Sequence, residues 1–272
     1  MSPFYPVHAG ERHQRLVRAD NSPLHYLEID RLTLAPAEEW AGRLVEREAF
    51  VVPLAGSAVL RAAVDGREWE LPLRRDDVFA AAPWAAYLPR DTSITLRSRG
   101  ALEAIIVSAP AAGPAHPAPV SPQTVTVSSV GTQNWQRQVR ILLAPEGPAT
   151  RLIVGETVNP PGHWSGMPPH KHDEATADEG VLEEIYYYRL SPPGGYLIQL
   201  CYDRTGWQES QVVSGEGAVA ITRGYHPTVA APGTTGYYLW AVAGAEKAYR
   251  VSIDPAFSWM IGAAGTAAAR PV

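Results

Sequence analysis

At 272 residues and 46% hydrophobic, the chain can bury a substantial core in one or two domains, while 25 prolines and 23 glycines interrupt its apolar runs too often for long helices. A formal charge of -5 gives no basic footprint, which argues against nucleic-acid or anionic-membrane partners. The single cysteine, Cys201, excludes an intrachain disulfide framework, and no apolar run reaches the roughly 18 residues needed to span a bilayer.

The opening stretch MSPFYPVHAGERHQRLVRAD sets charges and prolines where a secretory leader needs an apolar core, so a cytoplasmic setting is expected. AFVVPLAGSAVLRAAVDG (49–66) reads as two β-rich runs split by Ala-Gly-Ser and closed by an Asp-Gly turn; REWELPL (67–73) follows. DDVFAAAPWAAYLPRDTSITLRS (76–98) turns at Pro-Arg-Asp-Thr, and Ile94 and Leu96 alternating with Thr95 and Arg97 predict one buried face. SAPAAGPAHPAPVSPQ (108–123) has no period and reads as a linker between two bodies of similar size.

Beyond it, strands are expected at RLIVGETV (151–158), LEEIYYYRL (182–190) and YLIQLCYD (196–203). GAVAITRGYHPTVA (217–230) supplies a strand, a turn and the start of another, and TGYYLWAVAG (235–244) closes the set. AGSAVLRAAVDG and GEGAVAITRGYHP carry a faint echo of one module. The pattern predicts an all-β chain of two tandem antiparallel barrels or sandwiches, residues 1–115 and 116–272.

Metal-type ligands collect in GHWSGMPPHKHDEATADEGVLEEIYYYRL. His170 and His172, two apart on a strand, share a face at ~7 Å and can converge on one ion. Pro168 and Pro169 suit a strand start, and Lys171 points the other way. Glu183 and Glu184 open an aromatic strand that can turn only one of them inward. If Glu184 faces in, Tyr186 and Tyr188 go with it; if Glu183 does, Ile185, Tyr187 and Arg189 follow. Glu184 is the preferred ligand. His226, in Arg-Gly-Tyr-His-Pro, returns an imidazole after a glycine-containing turn. Three imidazoles and one carboxylate suit one divalent ion, Zn, Mn, Fe or Ni, with room for substrate oxygens.

The order HxH, Glu, then Gly-x-His resembles the two-part metal motif of the cupin superfamily. PPHKHDE, LEEIYYYRLSPPGGYLIQLCYD and RGYHP resemble, more narrowly, the 5-deoxy-glucuronate isomerase family of bacterial myo-inositol catabolism. REAFVVPLAGSAVL, DGREWEL, RDDVFAAAPWAAYLPRDTSITL and NWQRQVRILL (134–143) extend the resemblance over roughly residues 25–260. It implies a bicupin of two double-stranded β-helix (jelly-roll) barrels, the carboxy-terminal one binding metal and the amino-terminal one without ligands. LPRDTSITL (88–96) stands where a second His-bearing turn would be, and no histidine lies between His25 and His116. DEATADEG (173–180) matches the family's acidic insertion, and the 42 residues from Glu184 to His226 also fit the related 4-deoxy-uronate isomerases, favouring Glu184 over Glu183. Three positions depart from the pattern: Thr222 where many cupins have proline, Trp240 where asparagine is frequent, and Phe257 in place of a histidine. Trp240 and Phe257 are expected to alter the pocket.

The resemblance implies isomerisation of 5-deoxy-D-glucuronate to 5-dehydro-2-deoxy-D-gluconate, a small sugar acid being the partner and a homo-oligomer being compatible. A metal on the C1 and C2 oxygens would stabilise the developing charge, a base would carry the C2 proton, and a cation would hold the carboxylate. Glu183, Tyr186, Tyr188 and a metal-bound hydroxide are open as the base; Arg189, Arg223 and Gln199 are the candidate substrate contacts. His163 is read as a loop residue and Cys201 as a small apolar one. A cupin dioxygenase, dependent on Fe(II) and oxygen, and a non-catalytic sugar-binding cupin are the alternatives.

Overall fold

The structure, a computed structural model, describes residues 4–263. Nearly every regular element is a strand, and among the described residues no helix is long and apolar enough to cross a membrane.

In the first half, two long strands, Arg47–Val64 and Ser93–Pro110, run side by side and carry the other strands of an eight-stranded sheet. The first is continuous through the expected Ala-Gly-Ser break, because the ladder slips at bulges instead of ending. Gly56 makes one slip feasible: its φ is +91°, and a Cβ there would lie 1.8 Å from the Ala101 carbonyl oxygen. Asp65 and Gly66, both at positive φ, form the two-residue turn that pairs Val64 with Arg67.

The second half folds as two facing sheets. One orders Phe4–Pro6, Gly217–Ile221, Glu183–Ser191, Thr235–Ala243, Ile153–Asn159, Arg137–Leu143 and Thr126–Val130. The other orders Trp164–Ser165, Thr228–Ala230, Leu197–Tyr202 and Gln208–Val213. Tyr186, Tyr188, Leu197, Val219 and Tyr238 fill the space between them.

The largest core cluster belongs to neither half alone. Phe50, Val52, Tyr87 and Val107 of the first half pack with Val154, Ile185, Tyr187 and Leu239 of the second. That explains why Glu183–Ser191 is buried on both faces: even positions look into their own half and odd positions into the other.

Strand pairing also crosses the expected domain boundary. Phe4–Pro6 joins the second half's sheet, and Ala118–Val120, inside the stretch read as a linker, pairs with Ala85–Tyr87 of the first. Buried charge fixes the contact between halves. Arg75 donates to both carboxylate oxygens of Glu156 at 2.6 Å, Arg140 approaches the same group, and Tyr237 donates to it at 2.7 Å.

Candidate metal centre and its pocket

Pairing places the candidate ligands. Glu183–Ser191 lies between Gly217–Ile221 and Thr235–Ala243, which fixes Glu184 opposite Ile221 and Val242 and turns its side chain inward with Tyr186. His170 comes from the short strand His170–Lys171, paired with Ser252–Ile253. His226 comes from the turn between Gly217–Ile221 and Thr228–Ala230.

Glu184 Oε2 lies 3.0 Å from Nε2 of His172 and 3.0 Å from Nε2 of His226. The donor atoms of these three buried residues fall within 4.8 Å of one another. His170 borders the trio, its ring centroid 4.8 Å from that of His226 and 6.3 Å from that of His172.

The other ring nitrogens decide what the cluster can hold. His172 Nδ1 lies 2.8 Å from the Leu182 carbonyl oxygen, and His226 Nδ1 lies 2.8 Å from that of Gly224. Since a carbonyl only accepts, each Nδ1 carries a proton, and in the neutral rings both Nε2 lone pairs face the Glu184 carboxylate. Electron pairs opposing an anion call for a cation between them. His226 Nε2, 3.0 Å from Glu184 Oε2, is moreover a buried nitrogen with no assigned hydrogen bond among the described residues.

Burial would raise the Glu184 pKa, but His172 and His226 together hold it below the ordinary carboxylate range. Burial, aided by His226, pushes His170 down to about 3, so it offers a lone pair near neutral pH. Burial would lower the His172 pKa, but Glu184 holds it above its ordinary value, so a divalent ion held by this carboxylate and these imidazoles would take the place of a proton.

A supporting layer fixes the ligand turn. Asp173 Oδ2 accepts from the Gly224 N–H at 2.7 Å, and Lys171 binds Asp173 at 2.7 Å and Glu179 at 3.0 Å. Gln199 Nε2 donates to the His226 carbonyl at 2.9 Å, while its Oε1 accepts from the Tyr188 hydroxyl at 2.6 Å.

His170 and Glu184 open onto a cavity of about 220 Å³, whose walls include Arg137, Tyr186, Tyr238, Trp240 and Tyr249. A larger opening of about 950 Å³ lies in the first half around Arg18, Asp30, Trp40 and Arg47, remote from the ligand cluster.

Several expected contacts lie elsewhere. Glu183 faces the first half, where its carboxylate accepts from the N–H groups of His25, Tyr26 and Leu27 at 2.6, 2.7 and 3.3 Å; strand alternation removes it from the cavity. Arg189, on the same outward face, pairs with Glu103 and with Glu216. Arg223 lies over the Trp207 ring at 3.9 Å, beside Asp203 and away from the cavity. Tyr188 and Gln199 are buried, bonded to each other and, through Gln199, to the His226 turn, and neither is in the cavity lining. Tyr186 lines the cavity. His163 is bonded to the Gln136 carbonyl in its loop, and Cys201 is buried.

Three cavity residues escaped the sequence reading. Tyr238 alternates on a strand like any core tyrosine. Tyr249 lies in an aperiodic stretch, and Arg137 begins a strand with a second arginine, Arg140, that serves a structural ion pair. Of the two unusual aromatic positions, Trp240 lines the cavity and Phe257, half-buried in the turn Pro255–Phe257, does not.

The chain is similar over nearly its whole length to known proteins. The chain is 31% identical over 261 residues to the 5-deoxy-glucuronate isomerase of Geobacillus kaustophilus, covering 94% of each, and 29% identical over 251 residues to that of Bacillus subtilis strain 168, covering 90% and 91%. An IolB-like protein from Salmonella typhimurium superposes with a TM-score of 0.86 at 30% identity, covering 93% of this chain and 97% of that one. An oxalate decarboxylase from Lactobacillus farciminis, at 11% identity, covers 89% and 83% with a TM-score of 0.66, a likeness of fold alone. The KduI/IolB family model matches residues 5–260, and the chain belongs to that family.

Proposed function

We propose that this protein is a metal-dependent aldose–ketose isomerase, converting 5-deoxy-D-glucuronate to 5-dehydro-2-deoxy-D-gluconate. The observation that carries the reading is the Glu184 carboxylate between two inward-facing imidazole lone pairs at a small cavity, in a chain matching named 5-deoxy-glucuronate isomerases nearly end to end. We further read the two halves as tandem barrels of one module, of which only the second keeps ligands. A cavity of about 220 Å³ suits a single sugar unit, not a polymer.

His170, His172, Glu184 and His226 would hold the ion. When bound, it supplies Lewis acidity toward the oxygens of the two reacting carbons. The remaining work falls to the chain. Moving the carbonyl from C1 to C2 needs the C2 proton removed and one returned at C1, with no net redox change.

On this reading Glu183 and Tyr188, both outside the cavity lining, are not the base. Tyr186 and Tyr249 are the cavity phenols with no protein hydrogen-bond partner among the described residues, Tyr238 being bonded to Ser165. Burial holds both phenols above their ordinary pKa, so each is a neutral donor near pH 7. Such a donor can hydrogen-bond the substrate's carbonyl oxygen and relay a proton between oxygens. Trp240 and Val139 line the same cavity and limit water around the reacting carbons.

Anaerobic incubation of metal-loaded protein with 5-deoxy-D-glucuronate, followed by NMR beside a His172→Ala control, tests the reading. Conversion lost in the control supports it. Absence of conversion by protein with confirmed bound metal rejects that substrate.

A further inference from the structure

Four arginines are buried among the described residues: Arg31, Arg75, Arg137 and Arg140. Three of them have glutamate partners. Arg31 meets Glu216, and Arg75 and Arg140 share Glu156. Arg137 has none. Its Nη1 donates to the carbonyls of Trp135 and Met167 at 3.3 and 3.1 Å, and its Nε is buried without a hydrogen-bond partner. A buried guanidinium with no anion beside it is held at a cost in solvation that an incoming carboxylate would offset.

The strand pattern directs this charge. Arg137, Val139 and Ile141 alternate along Arg137–Leu143, and all three line the cavity that His170 and Glu184 enter. Arg137 is the sole arginine or lysine in that lining, and Glu184 the sole carboxylate. Glu184 is already claimed by His172 and His226. The cavity thus presents a ligand cluster and a separate cation whose anion is not supplied by the described protein.

We propose that Arg137 anchors the carboxylate of the substrate, so that the cavity selects sugar acids over neutral sugars of the same length. The substrate named here rests on the isomerase reading; the unpaired cation does not. Charge-assisted N–H···O⁻ bonds from a planar fork fix both distance and orientation, leaving the aldehyde end of a short chain free to reach the ligand cluster. Arg189 and Arg223 cannot do this, the first being paired on the opposite sheet face and the second exposed on Trp207.

The test compares 5-deoxy-D-glucuronate with 5-deoxy-D-glucose, in which CH₂OH replaces the carboxylate. Binding is read by calorimetry and turnover as kcat/KM, using metal-loaded wild type, Arg137→Gln and Arg137→Lys, with metal content measured for each. The wild type should favour the acid by about 100-fold, the scale of hydrogen bonds to charged groups. Arg137→Gln should retain its metal and cut this preference below about tenfold, by weakening the acid while leaving the neutral sugar unchanged. Arg137→Lys should keep an intermediate preference.

Persistence of the full preference in Arg137→Gln overturns the assignment. So does the absence of any preference in the wild type, a comparison that needs no variant to fold. If the acid binds but is not converted, the isomerase reading fails, and the anchor is judged by whether Arg137→Gln loses that binding.

Discussion

Glu48 and Glu183 stand in the same relation to opposite halves of the chain. Glu48 accepts from the N–H groups of Thr150, Arg151 and Leu152, and Glu183 from those of His25, Tyr26 and Leu27. Each glutamate sits near the start of a central strand, opposite Ala109 and Ala243 respectively. Tyr26 and Arg151, the middle residues of the two amide runs, stack on each other at 5.3 Å. The reciprocity ties the strand carrying Glu184 to the other half.

Replacing either tether should cost stability and not chemistry. Glu183→Gln weakens up to three charge-assisted bonds and should lower unfolding free energy by about 1–3 kcal/mol in urea titrations, with Glu48→Gln costing more because that group is fully buried. Anaerobic kcat for Glu183→Gln should fall by less than about tenfold, whereas loss of a general base costs ~10²–10⁴. A thousandfold loss with metal retained would return Glu183 to the chemistry.

The Glu156 cluster predicts a larger effect. Glu156→Gln leaves Arg75 and Arg140 without an anion in a buried interface and should destabilise by about 3–5 kcal/mol. Tyr237→Phe, which removes one donor to the same carboxylate, should cost about 1 kcal/mol. Equal losses from the two variants would show that Glu156 does not organise the interface.

Trp240 depends on the residue across the ladder. A Cβ at Gly155 would sit 2.1 Å from the Trp240 indole, so the ring occupies space that only glycine leaves. Gly155→Ala should push the indole into the cavity, costing about 1–3 kcal/mol and lowering kcat/KM. Trp240→Ala should restore stability in the Gly155→Ala background, as read by thermal unfolding. Additive losses would mean that the two positions are not coupled.

Acid should loosen the His226 turn. Burial would raise the Asp173 pKa, but Lys171 and the Gly224 N–H hold it below its ordinary value. A folded pKa below the unfolded one gives stability that is complete above about pH 4 and is lost as pH falls through the folded value. Urea unfolding of wild type and Asp173→Asn should therefore differ by a constant amount near neutral pH and converge below about pH 4. A gap that widens in acid would contradict the sign.

Much of this was legible in the chain. The HxH spacing is local, and alternation left Glu183 and Glu184 as alternatives between which the resemblance favoured Glu184; the structure groups Glu184 with His172 and His226. The partners of Glu183 were not legible, because His25–Leu27 lie 156–158 residues away and carry no side-chain signal for an amide contact. The strand Gln208–Val213 was missed because QESQVV is polar, as befits the last strand of its sheet, bonded on one side only. Ala118–Val120 was missed because its proline-rich surroundings read as linker, yet a three-residue edge strand tolerates Pro119. Arg137 could be distinguished from Arg140 only by seeing which of them meets a carboxylate.

The central claim is that His170, His172, Glu184 and His226 hold one divalent ion on which isomerisation depends. Its most direct test is an anaerobic titration of metal-stripped protein with a divalent ion, measuring bound metal and turnover of 5-deoxy-D-glucuronate on the same samples. The account predicts no turnover in stripped protein and activity rising in proportion to bound metal, levelling at one ion per chain. Full turnover without metal, or none with one ion bound per chain, would contradict it.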